Sequence, residues 1–152
     1  GGGAGNQSCS IAKCSMQHGN VQYCFECKEY PCEKYKGMDE YDSFVPHRSR
    51  QKDFKKAQEM GIKAYMDELH QKMDILKQLL EQYNDGRRKS FFATAVYLLE
   101  LSDLQSVIQT LENQENILEL PVKERASIAV NALQDTANQR GIHIKLLKKT
   151  KK

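Results

Sequence analysis

Ile62-Lys63-Ala64-Tyr65-Met66-Asp67-Glu68-Leu69-His70-Gln71-Lys72-Met73-Asp74-Ile75-Leu76-Lys77-Gln78-Leu79-Leu80-Glu81-Gln82-Tyr83 decides the fold class. Ile62, Tyr65, Met66, Leu69, Met73, Leu76, Leu79, Leu80 and Tyr83 recur at steps of one, three and four residues. That spacing keeps them on one face of a 3.6-residue helix and predicts a long amphipathic helix. Gly61 interrupts the chain before it. Asn84-Asp85-Gly86 ends it with residues that tolerate left-handed backbone.

On the N-terminal side, Asp42 or Ser43 is expected to cap a helix that has Pro46 near its first turn and runs to Met60. On the C-terminal side, residues 91–101 are apolar nearly all round and belong in the middle of a core. Ser102-Asp103-Leu104-Gln105 reads as a capping box that opens a helix carrying Leu104, Val107, Ile108 and Leu111. Residues 113–116 are a polar break. Pro121 starts a helix over 121–140, with Val122, Ala126, Ala129, Leu133 and Ala137 on one stripe and Gly141 as its cap. Ile142 to Leu146 alternates like a strand, but a lone strand has nothing to pair with. The expected fold is mainly α: a small helical bundle over 41–147, with Leu69, Leu76, Leu99, Ile108 and Leu133 in one core. A cysteine-rich, zinc-knuckle-like segment over 1–40 precedes it, and a basic tail over 148–152 follows.

With 39% hydrophobic and 28% charged residues, the 152-residue chain is too apolar to be disordered and too polar for a membrane protein. Its apolar runs are too short for a membrane-spanning helix. Residues 1–8 lack the basic and apolar regions of a signal peptide, which points to the cytoplasm. A net charge of +3 is too small to dictate a partner.

All five cysteines, Cys9, Cys14, Cys24, Cys27 and Cys32, fall near the start of the chain. Their spacing is C-x4-C-x9-C-x2-C-x4-C, which marks a module. An odd count without an export signal argues against a secreted disulfide scaffold. The Cys24-Phe25-Glu26-Cys27 turn lets two thiolates hold one ion, and zinc takes four ligands in a tetrahedron, with sulfur at ~2.3 Å. Zinc held by four of the five cysteines is therefore the expected cofactor, with Cys9, Cys14, Cys24 and Cys27 as ligands and Cys32 as substitute or spare. Cys32 follows Pro31, a residue suited to a first helical position, so it is expected in the first turn of a short helix, where a thiolate is stabilised. His18, four residues after Cys14, shares its helical face and could replace a cysteine, but ahead of Gly19 it reads first as a surface residue.

The run Cys9-Ser10-Ile11-Ala12-Lys13-Cys14, followed by Cys24-Phe25-Glu26-Cys27-Lys28-Glu29-Tyr30-Pro31-Cys32-Glu33-Lys34, resembles a prokaryotic cysteine-rich family catalogued as a domain of unknown function. The segments from Tyr41 to Arg48, from Tyr83 to Lys89 and from Phe91 to Leu101 look like longer members of that family. The resemblance implies a soluble bacterial or archaeal protein that binds metal through cysteines, with no assigned reaction. Members commonly carry further cysteines upstream, whereas this chain opens Gly1-Gly2-Gly3-Ala4-Gly5, which implies a shortened member.

Enzyme motifs are scarce. There is no phosphate-binding glycine loop, serine elbow or H-E-x-x-H pair. His47 and His70 read as surface residues. Arg87, Arg88 and Lys89 follow a tight turn at a helix start and are the candidate anion-binding residues. Two function classes remain. One is a non-enzymatic interaction or regulatory module, in which a zinc knuckle serves an unknown macromolecular partner. The other is a thiol-based redox or metal-sensing protein that uses Cys32 or the Cys24/Cys27 pair. Nucleic acid is an unlikely partner, because Phe54 is the one aromatic among Arg48, Arg50, Lys52, Lys55 and Lys56.

Overall fold

Six α-helices run through residues 10–43 and 45–148, the part of the chain that this computed structural model describes. No strand occurs among the described residues. The chain divides into two units, Gly1–Glu40 and Tyr41–Lys152. The first holds α1 (Ser10–Gln17) and two three-residue 3₁₀ turns, Cys24–Glu26 and Glu33–Tyr35. The second holds α2 (Arg50–Met60), α3 (Ile62–Gln82), α4 (Lys89–Leu98), α5 (Leu101–Glu112), a 3₁₀ turn at Ile117–Glu119 and α6 (Val122–Gln139).

The long amphipathic helix is α3, the centre of the bundle, which packs against α2, α4, α5 and α6. Gly61 both ends α2 and begins α3, at φ 86° and ψ 148°. A Cβ there would meet no atom within 4 Å, so the backbone angle, not space, calls for glycine. The core gathers Leu79, Tyr83, Phe92, Leu99, Leu104, Leu111 and Leu133, each almost wholly buried. Leu76 and Ile108 pack against it half-buried. Leu69 does not join this cluster. It is half-buried, and Glu68 beside it is the more enclosed residue. The α4 segment sits in the core as expected, except that Ala93 and Tyr97 are exposed.

Two local expectations are corrected. The first bundle helix begins at Arg50 rather than at Asp42 or Ser43. Asp42 is engaged elsewhere: its carboxylate accepts the amides of His47 and Leu147, each at 2.7 Å, and the Arg48 guanidinium at 2.9 Å. The capping box at Ser102 does not form, because α5 already starts at Leu101 and Ser102 lies inside it. The Ser102 carbonyl accepts the Ser106 hydroxyl at 2.9 Å, an ordinary interior arrangement. Residues 142–146 form no strand, as expected of a segment with nothing to pair with. Ile144 is buried, and the carbonyls of His143 and Lys145 accept the guanidinium of Arg48.

Candidate functional site

The first unit is built from short turns, and each carries a cysteine. Helix α1 presents Cys14 and ends where Gly19 (φ 86°) and Asn20 (φ 61°) turn left-handed. The amides of His18 and Asn20 fold back onto the carbonyls of Cys14 and Ser15, at 3.1 Å and 2.8 Å. This return brings His18 beside Cys14 on the helix end. Next comes the C-x2-C turn. The Glu26 carboxylate reaches back to accept the amides of Gln22 and Tyr23, at 2.9 Å and 3.0 Å. The Cys27 amide donates to the Cys24 carbonyl at 3.1 Å, and the Tyr30 amide donates to the Cys27 carbonyl at 3.1 Å. Glu26 thus fixes the turn that sets the two thiols near one another.

Cys32 precedes the second 3₁₀ turn as its N-cap, and its carbonyl accepts the Tyr35 amide at 2.9 Å. The Tyr30–Pro31 peptide is cis. The expected helix with Cys32 in its first turn is therefore a three-residue 3₁₀ turn with Cys32 just outside it.

Cys14, Cys24, Cys27 and Cys32, all free thiols and all half-buried, line one small cavity. Its volume of about 20 Å³ has room for a single water-sized body. His18 and Tyr30 line it too. His18 Nδ1 lies 3.7 Å from Glu29 Oε1. Burial, followed by the neighbouring Cys24 and Asp39, raises the pKa of the Tyr30 hydroxyl, so Tyr30 remains a neutral donor. Cys9 lies outside the described residues. Among the described residues, no three His, Cys, Asp or Glu side chains are arranged to hold a metal ion. The four thiols share a cavity wall without converging on a point. The donor set nonetheless suits a borderline-soft cation such as zinc, and ligation would require the thiols to turn inward.

Little else orders this unit. Among its described residues only Tyr35 is buried. Two ring pairs supplement it, Tyr23 stacked on Phe25 and Tyr30 edge-on to Tyr35, both with centroids 5.3 Å apart.

Residues 1–37 match the model of a family described as a protein of unknown function (DUF3795). The family resemblance read from the cysteine pattern is thus found over a stretch that contains all five cysteines and the whole cavity wall. The match ends before the helical unit begins. No curated protein and no solved structure matches the chain.

The remaining site candidates belong to the helical unit. Arg87, Arg88 and Lys89 are exposed at the start of α4. Asn84 Oδ1 already accepts the amides of Gly86 and Arg88, Asp85 Oδ1 accepts that of Arg87, and the Arg88 guanidinium lies 3.7 Å from Asp85. His70 is exposed, and His47 Nε2 contacts the Ser43 hydroxyl at 2.9 Å. Four cations of the 48–56 stretch meet carboxylates: Arg48 with Asp42, Lys52 with Glu100, Lys55 with Glu59, and Lys56 with Glu68 and Glu100. No helix among the described residues is long and apolar enough to cross a membrane.

Proposed function

We propose that residues 1–40 form a zinc-holding knuckle, and that the chain serves as a non-catalytic interaction or regulatory module in the cytoplasm of a prokaryote. The ligands are four of the five cysteines Cys9, Cys14, Cys24, Cys27 and Cys32. One observation carries the reading: four reduced thiols line a single cavity in a unit whose described residues include one buried side chain, Tyr35. A segment of this size orders itself by apolar burial only with difficulty, and thiolate–metal bonds convert binding energy into folding energy. His18, half-buried on the same wall with Glu29 near its Nδ1, is placed to substitute for a thiol. The partner is a macromolecule contacted by a surface of the folded chain.

The same four free thiols support a second reading, a redox or metal sensor that works through Cys32 or the Cys24/Cys27 pair. Metal analysis with a thiol count on reduced protein separates the two. One zinc per chain and one readily alkylated thiol is the result expected of the knuckle. Chelation should then expose residues 10–36 to protease and leave α3 to α6 intact, and Cys24→Ser should mimic chelation while Cys32→Ser does so only weakly. Metal-free protein with a single fast-reacting cysteine, still resistant to protease, would favour the sensor.

A further inference from the structure

A cavity of about 260 Å³ opens in the helical unit between α2, α3 and α4, well apart in sequence from the cysteines. It approaches the lower bound of ~300 Å³ for small-molecule pockets. Lys52 and Tyr97, both exposed, stand at its edge and give it access to solvent.

One part of its wall is apolar, made by Leu69, Leu76, Val96 and Leu98. The other part is charged, and its charges fall into two groups. The first group is mutually satisfied. Lys56 Nζ donates to Glu68 at 2.6 Å and to Glu100 at 2.7 Å, and Lys52 donates to Glu100. The second group is Asp53 on α2 and Lys72 on α3, both half-buried on the same cavity. Among the described residues, no ion pair within 4 Å joins either of them to an opposite charge. Lys72 Nζ donates to the Leu99 carbonyl at 2.6 Å, which leaves two of its N–H groups. Enclosed charges are costly until compensated, and here a carboxylate and an ammonium face one cavity without reaching each other. Their titration agrees with this. Burial raises the Asp53 pKa despite the nearby Ser49, Lys72 and Lys52, and burial lowers the Lys72 pKa despite the nearby Glu100 and Glu68.

We infer that this cavity is a binding site for a small zwitterion with an apolar body, an α-amino acid of about leucine size, held with its ammonium on Asp53, its carboxylate on Lys72 and its side chain against Leu69, Leu76, Val96 and Leu98. One bound molecule supplies each of Asp53 and Lys72 with an opposite charge in direct contact. It leaves the Lys52–Glu100–Lys56–Glu68 network undisturbed.

The test is titration calorimetry on the full chain with L-leucine, 4-methylpentanoate, which lacks the ammonium, and 3-methylbutylamine, which lacks the carboxylate. L-Leucine should bind, and each truncated analogue should bind at least ~10-fold more weakly, the loss expected when one enclosed charge is left unpaired. Asp53→Asn should lose leucine binding by a similar factor with an unchanged circular dichroism spectrum and a melting temperature no lower than that of the unaltered chain. Lys72→Gln should do the same, and because Lys72 also braces Leu99, the Asp53 variant decides if Lys72→Gln unfolds. Absence of leucine binding, equal binding of leucine and either analogue, or full binding by Asp53→Asn would each overturn the inference.

Discussion

Lys72 Nζ donates to the Leu99 carbonyl at 2.6 Å, tying the middle of α3 to the residue that ends α4. A helix ends with unpaired carbonyls, and a cation placed there satisfies one of them and complements the dipole. Leu99 itself has no exposed surface. Leu99→Ala should therefore cost ~2–5 kcal/mol in urea denaturation. Leu69→Ala, at a half-buried position outside the main cluster, should cost about 1 kcal/mol.

Acid should expose the charge network. Although burial acts to raise the Glu100 pKa, hydrogen bonds from Lys52 and Lys56 bring it down to about 2, from a reference of 4.5. A depressed carboxyl pKa contributes stability that is fully present above the unfolded value and lost as pH falls from about 4.5 toward 2. Asp53, raised by burial, contributes with the opposite sign. In denaturation series run across that window, Glu100→Gln should flatten the loss of stability and Asp53→Asn should steepen it.

Asp42 is a hub with a side chain closed to solvent, and Arg48 bridges it to the carbonyls of His143 and Lys145. Removing the guanidinium leaves the carboxylate enclosed with two amide donors. Arg48→Met should cost about 3 kcal/mol. Amide exchange at Leu147 should accelerate in the variant, because its acceptor is Asp42.

At the turn before α4, an anion must compete with Asn84 and Asp85 for the backbone donors and with Asp85 for the Arg88 guanidinium, so recruitment falls to the exposed side chains of Arg87, Arg88 and Lys89. Sulfate should raise the melting temperature slightly, and the Arg87→Ala/Arg88→Ala double variant should lose that rise. An equal response in the variant would leave these residues without an anion-binding role.

The helices were legible where the period of apolar residues was long and the stops were glycines, as at Gly61 and Gly141. Leu99 and Leu133 lie in the core because such stripes must be covered. What misled was chemistry whose partner is distant in sequence. Asp42 has the character of a cap, yet it is claimed by Leu147 at the far end of the helical unit. Ser102 and Gln105 match a capping pattern, but the extended backbone at Leu99 and Glu100 lets α5 start one residue before Ser102. The charged cavity did leave a trace: Glu68 and Lys72 stand three and seven residues after Tyr65, on the apolar stripe of α3, where a solvated face would not put them. For the cysteines, spacing singled out the cluster. That Cys14, Cys24, Cys27 and Cys32 share a wall depends on left-handed residues and on the Glu26 return, which spacing does not encode.

Asp42 and Leu147 meet in both directions. The Asp42 amide donates to the Leu147 carbonyl at 2.8 Å, and the Leu147 amide donates to the Asp42 carboxylate at 2.7 Å. The helical unit is therefore almost a closed ring, with its two ends held side by side. Chain order within such a ring is nearly free. The same helices could be strung in a different sequence, with a short linker joining residue 147 to residue 42 and new ends cut in the exposed break at 113–116. A circular permutant made this way would keep every buried neighbour of α3.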